Sequence, residues 1–189
     1  MTWWQNLDIT LFHYINCDWS NPFFDFLLPI WRERWTWIPL YILLVVLVFR
    51  FFRTRAGLAI LLGLILAVGI SDFTSSTLIK KNVQRLRPCN DPDVRTIVIQ
   101  RIPCGSGYSF TSSHAANHFA VAVYMSLFLA RFGPWVRPVL LLWAFLVAYA
   151  QVYVGVHYPG DIIGGAVLGS GIAWITGLFI RRKTQGLKV

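Results

Sequence analysis

Five long runs of apolar residues determine which folds are open to this chain. The hydrocarbon core of a bilayer is about 30 Å thick, and an α-helix needs roughly 20 apolar residues to cross it. The five runs have about that length and cover residues 35–52, 56–79, 113–132, 134–154 and 159–180. They predict an all-α fold, a polytopic membrane helix bundle with about five transmembrane helices.

The composition agrees with a membrane protein and excludes several classes of soluble protein. Of the 189 residues, 56% are apolar and only 13% are charged, whereas soluble domains carry about 25% charged residues. A disordered chain, a soluble nucleic-acid binder and an ordinary cytosolic enzyme are therefore excluded. We attribute the net charge of +9 to basic cytoplasmic loops rather than to a nucleic-acid partner.

The first 34 residues do not contain a run that is long enough to cross the bilayer. Residues 7–16 form a short amphipathic stretch, Asn21 and Pro22 interrupt it, and residues 23–31 are too few to span. Tryptophans and carboxylates are interspersed, as in helices that lie at headgroup depth. We predict N-terminal interfacial helices in residues 1–34, with a sixth membrane crossing as the alternative.

The distribution of charge predicts the orientation of the bundle in the membrane. One set of connections carries nine basic and no acidic residues: Arg50, Arg53, Arg55, Arg131, Arg137, Arg181, Arg182, Lys183 and Lys188. The positive-inside rule places this set, with the basic tail 181–189, in the cytoplasm. The transmembrane domain then covers residues 35–180, and its long loop, about 81–112, faces outward.

Three polar clusters on the outer side are not explained by membrane insertion. The first extends from Lys80 to Pro88 and contains four cations, at the exit of the second span. Four cations are costly to hold together unless an anion neutralises them. The alternative is that these side chains extend to the lipid headgroups.

The second cluster opens the third span. Thr111 or Ser112 is suited to cap the helix, and the free N–H groups and dipole of a helix start favour an anion. His114, Asn117 and His118 have i, i+3, i+4 spacing and therefore share one face. Polar side chains in a membrane span indicate a functional site.

The third cluster lies between the fourth and fifth spans. His157 and Asp161 are four residues apart, so the carboxylate reaches one imidazole nitrogen if helical geometry extends back to His157. That contact would leave the other nitrogen as an oriented nucleophile or base. A zinc site is the alternative, with His114 and His118 joining this pair. The sequence H-A-A-N-H lacks the glutamate of metalloprotease helices, however.

Together the three clusters resemble the phosphatidic acid phosphatase type 2 family. Its signature is K-x-x-x-x-x-x-R-P, then P-S-G-H, then S-R-x-x-x-x-x-H-x-x-x-D. The matching residues are Lys80, Arg87 and Pro88 in the first block, Ser112 and His114 in the second, and His157 and Asp161 in the third. In the second block Thr111 stands where proline is usual, and Ser113 where glycine is usual.

The resemblance implies an integral-membrane phosphatase of the bacterial cytoplasmic (inner) membrane. Such an enzyme hydrolyses the phosphate monoester or diphosphate headgroup of a lipid on the extracytoplasmic side, through a phosphohistidine and without a metal or cofactor. His157 would be the nucleophile, oriented by Asp161, and His114 the acid. The phosphoryl oxygens would be held by Lys80, Arg87, the Ser112 hydroxyl and the amides near Ser113. Among the lipids that small family members hydrolyse, undecaprenyl diphosphate is favoured over phosphatidylglycerophosphate and lipid A.

One position departs from the signature in a way that affects the chemistry. The third block expects arginine six residues before His157, and this chain has Gln151. Glutamine can donate a hydrogen bond to phosphate, but it supplies neither charge nor a bidentate fork. Three explanations are open. Arg85 or Lys81 supplies the missing charge, the enzyme is weak or specialised, or position 151 is an engineered substitution. A non-catalytic lipid-phosphate binding or transport protein is the alternative function.

A disulfide in the long loop and a second activity are also considered from the sequence. Cys89 and Cys104 bracket one polar segment and could form a disulfide in an oxidising compartment. Vanadium haloperoxidases share the active-site pattern, but they are soluble, and the five apolar spans argue against that activity. The sequence identifies no protein partner.

Overall fold

The structure, a computed structural model, describes residues 2–184. The part of the predicted basic tail that begins at residue 185 therefore lies outside the described residues. Eight α-helices are arranged in the order α1 Trp3–His13, α2 Pro22–Trp31, α3 Ile38–Phe51, α4 Thr54–Phe73, α5 Lys80–Val83, α6 Ser113–Leu129, α7 Val136–Tyr153 and α8 Pro159–Thr184.

Five helical segments are long and apolar enough to cross a membrane, which confirms the predicted number of spans. Their ends differ from the predicted ones by a few residues, and α8 continues to Thr184. A wider helical turn at Thr74–Ile79 joins α4 directly to α5. Lys80 therefore lies within a continuous helical rod that reaches Val83, rather than at the exit of a helix.

The N-terminal helices are too short to add a crossing. α2 has ten residues, and ten helical residues extend only about 15 Å, half of the hydrocarbon thickness. The buried side chain of Asn16 fastens this segment to the bundle. Its amide donates hydrogen bonds to the backbone oxygens of Tyr153, at 2.8 Å, and Ile99, at 3.0 Å. Residues 2–34 thus pack on the bundle end at which the predicted motifs lie.

The central helix of the bundle is α6, which packs against α4, α7 and α8. Ten of its seventeen residues are buried. Its contact with α8 is close because glycines face it, and small residues let membrane helices approach one another. A methyl group at Gly169 would overlap the backbone oxygen of Ala116. The backbone N–H of Ser112 donates to the backbone oxygen of Asp161 at 3.0 Å and joins the starts of the two helices.

The outer loop closes over the same end of the bundle. Cys89 and Cys104 form the expected disulfide, with their Cα atoms 6.0 Å apart. Arg101 fastens the loop to the N-terminal segment, since its guanidinium contacts Asp25 at 2.5 Å and the backbone oxygen of Tyr153 at 2.8 Å. The loop is therefore held across the ends of the helices rather than extended from them.

The close contact of α6 with α8 predicts different effects at two glycines of α8. Gly169→Ala should lower the melting temperature in detergent, because its methyl group collides with the backbone at Ala116 and overpacking costs about 1–3 kcal/mol. Gly171→Ala is the matched control, since nothing lies within 4 Å of its Cβ position. It should leave stability unchanged or raise it. Equal melting temperatures for the two variants would contradict this packing.

Candidate active site

A cavity of about 360 Å³ lies where α5, α6 and α7 meet the loop that precedes α8. Six of the eight residues predicted to act in catalysis or phosphate binding line it: Lys80, Arg87, Ser113, His114, Gln151 and His157. The other two, Ser112 and Asp161, are fully buried next to it, at the starts of α6 and α8. The structure therefore brings the three sequence clusters together at one end of the bundle.

The first cluster contributes two cations to this cavity. After α5 the chain reverses at Gln84, which has a left-handed backbone conformation with φ of 52°. The reversal returns Arg87 to the cavity, where its Nη1 donates to the backbone oxygen of Val156 at 3.2 Å and lies 3.3 Å from His157 Nε2. Within residues 2–184, neither Lys80 nor Arg87 forms an ion pair with a carboxylate. Their charges are free to meet an anion.

The second cluster provides a capped helix start. The structure assigns the cap to Ser112 rather than Thr111, because the Ser112 hydroxyl oxygen accepts from the backbone N–H of Ala115 at 3.4 Å. The hydroxyl of Ser75, in the turn after α4, lies 3.0 Å from the Thr111 hydroxyl and 2.9 Å from the Ser113 hydroxyl. The first turn of α6, with its free N–H groups and positive dipole end, thus borders the cavity.

A second cavity of about 350 Å³ adjoins the first on the far side of His114. Asn117 and His118 line it together with His114, as their predicted common face requires. The Asn117 amide donates to Asp72 Oδ1 at 2.8 Å, and His118 Nε2 lies 3.4 Å from the Tyr41 hydroxyl. His114 and Ser113 therefore line both cavities.

The four residues of the zinc alternative are not brought together. The rings of His114 and His118 lie parallel with centroids 6.3 Å apart, and His118 Nδ1 contacts the backbone oxygen of His114 at 2.8 Å. Across residues 2–184, no group of three or more His, Cys, Asp or Glu side chains is placed to hold a metal ion. The geometry does not assemble the zinc set considered from the sequence.

The contact between His157 and Asp161 forms without the helical geometry expected for it. α8 begins at Pro159, so His157 lies in the preceding loop, yet its Nδ1 is 3.4 Å from Asp161 Oδ2. Three further donors fix the carboxylate: the backbone N–H of Tyr158 at 2.8 Å, Arg85 Nη1 at 2.9 Å and the Ser109 hydroxyl. The carboxylate therefore contacts His157 from a fixed position.

Burial determines the protonation state of His157. The side chain is only 3% exposed, and desolvation lowers its pKa to about 4, against an opposing contribution from Asp161. The neighbouring cations Arg87 and Lys80 lower the pKa of His157 further. The imidazole is thus neutral at neutral pH, and a neutral imidazole has the lone pair that a nucleophile needs.

Neither of the two residues proposed to compensate for Gln151 lies in the cavity. The Arg85 guanidinium pairs with Asp8 at 2.6 Å and with Asp161 at 2.9 Å, and it lies 3.9 Å above the ring of Tyr158. Lys81 is exposed. Of the three explanations left open for Gln151, the structure does not support compensation by Arg85 or Lys81, because Arg85 lies behind the cavity and holds Asp161 and Lys81 is exposed.

Instead, the cavity contains an arginine that the sequence analysis missed. Arg32 follows α2, its side chain is 15% exposed, and it lines the cavity together with Glu33. Its Nε donates to Gln151 Oε1 at 3.2 Å, and its Nη1 to Glu33 Oε1 at 2.7 Å. Burial lowers the pKa of the Arg32 guanidinium from its ordinary value, and the Glu33 carboxylate opposes that shift. No motif marks this position, so only the fold brings it to the site.

Comparisons with known proteins show which proteins this chain is similar to. A lipid A 4'-phosphatase of Bacteroides thetaiotaomicron is 29% identical over 89% of this chain and 75% of its own length. An undecaprenyl-diphosphatase of Sulfolobus acidocaldarius is 31% identical over 96% of this chain and 82% of its own length. The fold resembles a transmembrane PAP2-type phosphatidylglycerolphosphate phosphatase of Bacillus subtilis, with a TM-score of 0.74 at 22% identity over 98% of this chain and 90% of that one.

The model of the PAP2 superfamily matches residues 56–185, which include all three sequence clusters and every transmembrane helix except the first. Because this match covers more than half of the chain, the chain belongs to the PAP2 superfamily.

Proposed function

We propose that this chain hydrolyses a membrane lipid phosphate or diphosphate through a phosphohistidine formed at His157. The observation that carries the proposal is the arrangement of the two ring nitrogens of His157. Nδ1 contacts Asp161, and Nε2 lies 3.3 Å from Arg87 Nη1 at the cavity. Arginine has only donors, so this contact requires the lone pair on Nε2 and the proton on Nδ1.

In the first step, His157 Nε2 attacks phosphorus and the bond from phosphorus to the ester or bridging oxygen breaks. His114, which we propose is protonated when the anionic substrate is bound, gives its proton to that leaving oxygen, and the imidazole ring of His157 is joined to the phosphoryl group. In the second step, water attacks phosphorus, the phosphorus–nitrogen bond breaks, and the proton of the water returns to His114. Inorganic phosphate leaves, and His157 is regenerated.

Positive potential around the phosphoryl group supports this reaction without a divalent cation. Lys80 and Arg87 line the cavity, and the positive end of α6 borders it. Phosphoryl transfer depends mainly on positioning and on neutralising the oxygens of the transferred group. We therefore propose a metal-independent reaction in which these groups do the neutralising.

The substrate class follows from where the cavity lies. It is at the ends of the helices, where a headgroup can enter while the acyl or prenyl chains stay in the bilayer. Undecaprenyl diphosphate is the proposed substrate, by analogy with small family members and with the Sulfolobus acidocaldarius relative of that name.

A phosphorylated glycolipid is the second candidate, and the cavity beyond His114 favours it. That cavity lies on the leaving-group side, and Asp72 and Asn117 line it. A carboxylate and an amide suit the hydroxyl groups of a sugar. The Bacteroides thetaiotaomicron relative is named as a lipid A 4'-phosphatase.

We also propose that the active site faces the extracytoplasmic side of a bacterial inner membrane. The predicted cytoplasmic arginines lie at the opposite ends of the helices, for example Arg53 before α4 and Arg131 after α6. Basic residues concentrate in cytoplasmic loops. The Cys89–Cys104 disulfide in the outer loop suits an oxidising compartment.

Purified protein should release inorganic phosphate from a lipid phosphate or diphosphate, and His157→Ala should reduce the rate by at least about 10³-fold, since the nucleophile is lost. His13→Ala is the control, because that side chain is 44% exposed on α1. Orthovanadate should inhibit the release of phosphate, and EDTA should not. Full activity of His157→Ala would contradict the proposed mechanism, and loss of activity in EDTA would indicate that the enzyme needs a metal ion.

A turnover screen separates the two substrate candidates. We expect undecaprenyl diphosphate to have the higher kcat/KM, and Asn117→Leu to change it little. A higher kcat/KM for lipid A, lowered selectively by Asn117→Leu, would assign the glycolipid instead.

The protonation state of His157 can be measured directly by ¹⁵N NMR of histidine-labelled protein. The signals that disappear in His157→Ala should report a neutral ring with its proton on Nδ1 at pH 6–7. They should remain so down to about pH 5, because burial lowers the pKa of His157 to about 4. An imidazolium signal in that range, or a proton on Nε2, would contradict the proposed nucleophile.

A further inference from the structure

The buried side-chain amide of Gln151 contacts Arg32 through its oxygen and leaves its nitrogen without a partner among the described residues. Gln151 is fully buried, and its side chain lines the cavity. Arginine only donates hydrogen bonds, so the contact with Arg32 Nε fixes the carbonyl oxygen of Gln151 toward Arg32. The amide nitrogen is buried, and among the described residues it has no hydrogen-bond partner. A buried donor without a partner destabilises the fold, and an acceptor in the cavity would remove that cost.

We propose that Arg32 is a phosphate-binding residue, which supplies from the N-terminal segment the positive charge that position 151 lacks. The Gln151 carbonyl oxygen orients the Arg32 guanidinium, and the free amide N–H of Gln151 donates a hydrogen bond to the same anion. The inference rests on the proposed function, because it assumes that the cavity binds the phosphoryl group.

The hydrogen bonds of Arg32 leave part of its guanidinium for a ligand. Nε is held by Gln151 and Nη1 by Glu33, and within residues 2–184 Nη2 has no hydrogen-bond acceptor. A guanidinium fixed at two of its nitrogens loses little further freedom when it binds an anion through the third.

The charges around the cavity favour the same conclusion. Arg32, Lys80 and Arg87 all line it, and Glu33 is the only carboxylate among the described lining residues. Three cations that share a cavity with one carboxylate repel one another in a partly buried site. A phosphoryl group, with its charged oxygens, would relieve that repulsion.

The competing interpretation is that Arg32 only fastens α2 to α7. A fastening role predicts a loss of stability in Arg32→Gln without a specific loss of anion affinity. It also predicts no benefit from moving the arginine to position 151. The two interpretations therefore differ in the double variant and in the inhibition constant for orthovanadate.

The experiment measures kcat/KM, the orthovanadate inhibition constant and the melting temperature for four variants and one matched control variant. Arg32→Gln should lower kcat/KM by about 10²–10³-fold, the usual effect of losing one transition-state contact of this kind, and should raise the inhibition constant at least tenfold. Arg32→Lys should lower kcat/KM by less than Arg32→Gln does, because lysine keeps the positive charge. Gln151→Arg alone should not raise kcat/KM, since two guanidinium groups would then compete for the same position beside the anion.

The double variant Arg32→Gln with Gln151→Arg should recover at least tenfold of the activity lost in Arg32→Gln. Arg95→Gln is the matched control, because Arg95 is an exposed arginine of the outer loop, and it should behave as the unmodified protein. If Arg32→Gln does not fold, the vanadate constant of Arg32→Lys decides: a fivefold rise supports the proposal and an unchanged value overturns it.

Arg32→Gln with activity within threefold of the unmodified protein would overturn the proposal. So would Gln151→Arg that alone raises activity tenfold, because the cavity would then lack the charge that Arg32 is proposed to supply. Either result leaves the phosphatase function standing if His157→Ala remains inactive. Conversely, a protein that hydrolyses no lipid phosphate, but binds orthovanadate more weakly after Arg32→Gln, would refute the function and keep the anion site.

Discussion

The packing of α6 on α8 is the contact on which the site depends. Glycines on α8 allow the two backbones to approach, and the Ser112 N–H donates to the Asp161 backbone oxygen at 3.0 Å. Without a hydrophobic force between helices in lipid, such close packing supplies the association energy. This contact sets the capped start of α6 beside the imidazole that precedes α8. The second and third sequence clusters are therefore one structural unit.

A chain of charges continues from that unit to the N-terminal segment. Asp161 holds His157 on one side and Arg85 on the other, and Arg85 in turn pairs with Asp8 of α1. The backbone N–H of Gly160 also donates to Asp8 at 2.7 Å. The Asp161 carboxylate is thus both the partner of the proposed nucleophile and the anchor of α1. In this chain the N-terminal helices belong to the architecture of the cavity.

The sequence predicts the number of spans and the three clusters well, because both are local patterns. Helix length follows from the apolar runs, and the clusters have fixed spacings. It does not predict contacts between residues far apart in the chain. Arg32 and Gln151 are separated by 119 positions, and no pattern at either residue signals the other. The role of Arg85 could not be predicted for the same reason: its charge made it one candidate to compensate for Gln151, whereas the fold pairs it with two carboxylates.

If the two imidazoles and the cations surround one oxyanion, a structure with bound orthovanadate will show it. We expect one vanadate in the cavity, with vanadium bonded to His157 Nε2. Its oxygens should contact Lys80, Arg87 and Arg32, and His114 should face the opposite apical oxygen. Vanadate bound elsewhere, or bound in the cavity without a bond to His157, would refute this arrangement.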